Sequence, residues 1–138
     1  MAILQATKVS SSTDQMPGIG DGQSAKVIAS TYTFAAAPGL NDVIQSGLIQ
    51  AGSVITDVMV VHTGLGTSGA FQIGDGVDPD RWAAAAAAVT GGVVRASAAT
   101  ALPYVLPAND TVDVTITAAG ANAAGTVAII VTFLPRNA

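Results

Sequence analysis

Asp75, Asp78 and Asp80 fall within six positions of one another in the run Gly74-Asp75-Gly76-Val77-Asp78-Pro79-Asp80-Arg81-Trp82. Carboxylates so spaced could gather a hard cation such as Ca²⁺, which takes about six to eight oxygens from aspartates, carbonyls and water. The run is not an EF-hand loop: its acids are unevenly placed, and the chain has no glutamate to close one. A turn accounts for the same residues. In it, Asp side chains accept backbone N–H bonds and Asp78-Pro79 begins a new bend, while Arg81 pairs with an acid and Trp82 anchors the loop by burying its ring. Calcium is therefore the one cofactor worth testing, with Asp75, Asp78 and Asp80 as its ligands, and the turn is the expected reading. Arg81 and Trp82 are also interface candidates, since large aromatics beside arginine are common at binding hot spots. Pro103 and Tyr104 join them, because prolines confine the extended segment 102–107 to a sheet edge or bulge.

Other catalytic chemistry lacks its parts. His62 is the only histidine, whereas a zinc site or a nucleophilic triad needs it joined by further ligands or by a serine and a carboxylate. Its apolar surroundings suit a structural histidine. No serine sits in a Gly-x-Ser-x-Gly elbow, and Gly64-x-Gly66 and Gly74-x-Gly76 lack the spacing of a phosphate loop. With no cysteine in the chain, thiolate chemistry and disulfides are excluded together. We therefore expect no catalytic residues and a protein that is not an enzyme.

The elements that must position these residues read as strands. Residues 27–34 are rich in β-branched and aromatic types and end at Ala37-Pro38-Gly39, a strand with a stop signal. Val43-Ile44 suggests a short strand before a turn. Residues 53–63 carry apolar side chains on both faces, which predicts a central strand. Residues 70–73 alternate briefly and stop at Gly74. Residues 81–88 have the chain's highest helix propensity, yet a piece so short is marginal alone, so a packed helical turn or irregular crossover is expected there. Val93-Val94-Arg95 makes another short strand. Residues 111–117 alternate without a break, with Val112, Val114 and Ile116 facing in. Residues 126–134 form the last strand, and the last two strands are expected to pair as a hairpin with a long tip.

Strands separated by Gly, Pro, Asn and Asp clusters, without helices between them, are the pattern of an all-β sandwich or barrel, and a single-domain, jelly-roll-like β-sandwich over residues 25–138 is the expectation. Residues 1–24, full of turn formers, read as an extended N-terminal arm.

Composition narrows the partners. Of 138 residues only 10% are charged, against about 25% in an average domain, so neighbours are expected to cover much of the surface. A net charge of −4 repels phosphate backbones, which argues against nucleic acid. No apolar run approaches the roughly 18 residues of a membrane span, and no basic region precedes an apolar one at the N-terminus. Synthesis in the cytoplasm is expected.

The Gly74–Trp82 turn, the strand before it over residues 55–61, the alanine-rich stretch after it, Tyr104, Asp113-Val114-Thr115 and the strand over 127–133 together resemble small virion proteins of tailed bacteriophages. The resemblance spans roughly residues 25–135. It implies a capsid decoration (cement) protein, usually homotrimeric, bound to the major capsid protein at the capsid surface, or else a domain of a head or tail fibre. A receptor- or glycan-binding module is the alternative function, weakened by an aromatic content of 4%.

Overall fold

A computed structural model describes residues 25–98 and 101–135, so the expected N-terminal arm lies outside the described residues. Nine strands follow in chain order: β1 (Lys26–Thr33), β2 (Val43–Gln45), β3 (Val54–His62), β4 (Ala70–Gly74), β5 (Ala83–Ala87), β6 (Gly92–Arg95), β7 (Tyr104–Val105), β8 (Asp113–Ala118) and β9 (Thr126–Leu134). They form two antiparallel sheets. One has the order β1-β9-β3-β6, with β7 also on β3, and the other has the order β2-β8-β4-β5. The all-β sandwich expected from the alternating runs is what forms.

β6 pairs with Met59 to His62 and β7 with Val54 and Ile55, so the two lie end to end along the same side of β3. Counted as one interrupted strand, they leave four strands in each sheet, alternating between the sheets along the chain except for the consecutive pair β4 and β5, an order compatible with the jelly-roll expectation. The core lies between the sheets. Ile55, Val58 and Val60 of β3, with Val127, Ile129 and Val131 of β9, meet Phe71, Ile73, Val114 and Ile116 of the opposite sheet, all buried. The period of two puts these residues on one face, with the bulge between Ile55 and Asp57 bringing Ile55 into phase with Val58 and Val60, and burying that face is the main force closing the sandwich.

Two expectations are corrected. The alanines after Trp82 form no helical turn: Ala83–Ala87 is a strand at the edge of its sheet, paired with β4 from Ala70↔Ala87 to Ile73↔Ala83. The N–H of Trp82 donates to the Ile73 carbonyl at 3.0 Å, and Trp82 and Ala83 are buried. Once those two residues are anchored, the ladder with β4 satisfies backbone groups that an isolated two-turn helix would leave half open, and tertiary context overrides propensity.

The last two strands form no hairpin. β8 pairs with β2 and β4, and β9 with β1 and β3, so they lie in opposite sheets. Their connection, residues 119–125, has length enough to cross the roughly 10 Å between packed sheets. It is held where it crosses. The Gly120 N–H donates to Pro38 at 3.1 Å, the Asn122 N–H to Leu65 at 2.9 Å, and Asn122 Nδ2 to the Gly64 carbonyl at 2.9 Å. Crossing places Val114 and Ile116 opposite the buried row of β9, which a hairpin would have set side by side in one sheet.

Candidate association surfaces

The Asp75 turn closes on itself. Asp75 Oδ1 accepts the N–H groups of Val77 at 2.9 Å and Asp78 at 2.7 Å, and Oδ2 accepts Arg81 Nε at 2.5 Å. Burial alone would raise the Asp75 carboxyl. The hydrogen bond from Arg81, the two backbone N–H groups and the Arg81 charge outweigh that effect and hold it below its ordinary value. Arg81 thus supplies the positive charge that a bound cation would bring. Among the described residues no group of three or more His, Cys, Asp or Glu is placed to hold a metal ion, so Asp75, Asp78 and Asp80 do not converge as a ligand set.

The four interface candidates do come together in part. The Arg81 guanidinium stacks over Tyr104 at 4.4 Å from the ring centroid, and Tyr104 meets Trp82 edge to face at 5.9 Å. Trp82 is fully enclosed by its own subunit, so it serves as the anchor. Any contact surface at this end belongs to Pro103, which is exposed, and to the partly exposed Arg81 and Tyr104.

His62 faces the core from β3, edge to face on Phe71 at 5.2 Å, and burial lowers its pKa. Burial thus favours its neutral form. Asp113 is also buried. Desolvation raises its carboxyl against the opposing hydrogen bonds of Thr111 and Gln45, and the nearby charges of Asp110 and Asp75 add to the rise. A carboxyl raised by folding contributes stability that is complete below its unfolded value and lost as pH climbs through the folded one. Asp113→Asn is therefore expected to melt higher than the parent at pH 7. Thermal melts across a pH series should show that advantage shrinking toward pH 3.8, the ordinary carboxyl value. A variant that melts lower at every pH would refute the assignment.

The two outer sheet faces differ in chemistry. On the β2-β8-β4-β5 sheet the outward rows pair Val43 with Thr115 and Gln45 with the covered Asp113, Thr115 continues to Gln72, and Ala118, Ala70 and Ala87 form a further row, a dressing of polar groups and small alanines. On the other sheet the registers align Ala29, Ile130, Met59 and Arg95 in one row and Thr31, Ala128, Val61 and Val93 in the next. Val27 and Val105 extend the patch at 61% and 57% exposure, and Val61 and Val93 stand 37% and 57% exposed within it. Its charged residues, Asp57 and Arg95, neutralise each other at 2.6 Å. The sequence signal for this face was present: residues 53–63 are apolar on both sides, which indicated a central strand. Centrality hides the strand's edges, but it leaves the outer side of the sheet uncovered.

A cleft of about 530 Å³ also opens between β1 and the segment leading into β2, lined by Ser30, Tyr32, Phe34, Asp42, Ile44 and Gln45 among others.

Together these features define an antiparallel double-sheet sandwich whose distinguishing surface is an uncovered apolar sheet face. Chains of this fold occur in solved phage capsids. This chain is similar to a chain of the cyanophage Pam1 capsid asymmetric unit, with a TM-score of 0.74 and 23% identity over 88% of this chain and 91% of that one. It is similar to a chain of the Ralstonia phage GP4 capsid, with a TM-score of 0.60 and 23% identity over 82% and 86%. A third likeness, to a chain of the acidic stable capsid structure of Helicobacter pylori bacteriophage KHP30, has a TM-score of 0.60 and 15% identity over 80% and 88%. No protein-family model matches the sequence, and no curated protein matches it.

Proposed function

We propose that the chain is a non-enzymatic structural subunit of a tailed-phage virion, a decoration protein that sits on the capsid surface as a homo-oligomer and binds the major capsid protein. The observation that carries this reading is the likeness to the Pam1 capsid chain across 88% of the sequence. The sparse charge and the apolar sheet face support it, since both suit a subunit covered by neighbours. A trimer is the stoichiometry that the resemblance to phage decoration proteins implies. Such a subunit works through mass action: it binds the intact shell and not its fragments, so rupture must first break its contacts.

Heads assembled without this protein are expected to form but to rupture at lower temperature than complete heads, and adding the purified protein back should restore the difference. Light scattering and DNA release on heating measure both. Equal heat resistance with and without the protein would remove the cementing role.

A second reading draws on the cleft beside β1, where Tyr32 is 47% exposed. A glycan could stack there as a receptor contact, and specific binding on a glycan array, lost on Tyr32→Ala, would favour that reading.

A further inference from the structure

We infer that the outer face of the β1-β9-β3-β6 sheet is the surface through which this chain joins a second copy of itself. The inference deepens the proposed function and rests on it: it locates the self-contact of the oligomer proposed there and, because a face that meets its own copy closes with two-fold symmetry, it commits to a dimer in place of the trimer that the resemblance implies.

Three observations select a second copy as the occupant. The first is chemical character. Met59, Val61, Val93, Ala128 and Ile130 stand in adjacent outward rows, while the opposite sheet presents Gln45, Gln72 and Thr115 beside Val43 and a row of small alanines, Ala118, Ala70 and Ala87. Homodimer interfaces are more apolar than ordinary surface, whereas surfaces that dock and leave are no more apolar than the rest of a protein. A face this apolar needs a partner present from the moment of folding, and another copy is always there.

The second is charge. The chain carries a net −4, so most ways of bringing two copies together oppose like charges. On this face Asp57 and Arg95 cancel, and two copies can meet there without that repulsion.

The third is area. Strands β1, β9 and β3, of 8, 9 and 9 residues, with the interrupted lane of β6 and β7, lie about 4.8 Å apart at about 3.3 Å per residue and together present at most about 500 Å². Two such surfaces, covered completely, bury about 1,000 Å², the lower bound for a specific protein contact.

The test is the solution mass of the full chain by light scattering after gel filtration at micromolar concentration. The wild type is expected at twice the chain mass of 13.6 kDa. Val61→Asp and Val93→Asp, each an outward position, are expected to fall to a single chain mass while keeping the circular dichroism of the parent. Val43→Asp is the matched control, since Val43 is 50% exposed on the other sheet, and it should leave the mass unchanged. A wild type that is already monomeric overturns the inference without any variant. So do folded Val61 and Val93 variants that keep the parent mass, or a Val43 variant that dissociates equally. Sedimentation with purified heads separates this outcome from the function itself: a monomer that still binds heads sinks only the self-contact, whereas an oligomer that does not bind them sinks only decoration.

Discussion

Trp82→Ala is expected to lower the unfolding free energy by about 3–5 kcal/mol, the usual cost of truncating a buried aromatic to alanine. For a domain whose total stability is about 5–15 kcal/mol, that is a large share, and the melting temperature should drop by roughly 10 °C or more. The reason lies in what the residue joins. Its ring is fully buried and packs edge to face on Tyr104. Its backbone ties β4 to the strand after the turn, and its carbonyl accepts the N–H groups of Ser97 at 2.8 Å and Ala98 at 3.2 Å. The Nε1 atom makes no hydrogen bond within the protein, so Trp82→Phe orphans no partner. That variant should lose only the volume difference, well under half of the alanine loss. Differential scanning calorimetry of both decides the matter: an alanine variant melting within about two degrees of the parent would show that the ring is no anchor.

Gly74→Ala is expected to be comparably damaging, at about 3 kcal/mol or more. A Cβ at Gly74 would sit 2.1 Å from the Asp78 carbonyl oxygen and 2.3 Å from the Pro79 carbonyl carbon. Both are backbone atoms, so the turn itself must move. Moving it breaks the bond from the Asp75 N–H to the Asp78 carbonyl, now 3.0 Å, and pulls Asp75 away from Arg81. Gly76→Ala, two residues on, meets nothing within 4 Å and should change stability by no more than about 0.5 kcal/mol. Urea unfolding of the pair separates a steric requirement at one glycine from a general need for flexibility in the turn. Equal midpoints for the two variants would contradict the close approach.

The turn was legible because its logic is local. An Asp followed by Gly, then Asp-Pro, then Arg-Trp assigns an acceptor, a bend, a counter-charge and an anchor within nine positions, and the geometry of Asp75 and Arg81 follows that assignment. The apolar outer face was not legible as a face. Met59, Val61, Val93, Ala128 and Ile130 come from three separate strands, and only the registers of those strands set them side by side. Pro103 and Tyr104 were expected at a sheet edge, and β7 does flank β3 there.

What the sequence determined by itself was the class of the fold. Period-two runs such as residues 111–117, punctuated by Gly, Pro and Asp, bury their apolar rows as half-buried strands of a sandwich or barrel, because alternation directs side chains to opposite faces whatever the partner. Tertiary structure alone decided which strands pair. Ala83–Ala87 is a strand because β4 stands ready to take its backbone bonds. β8 and β9 part company into opposite sheets, and Val114, Ile116, Ile129 and Val131 join one buried core between them. Pairing is a contest among distant segments for one buried space, and no local pattern records its winner.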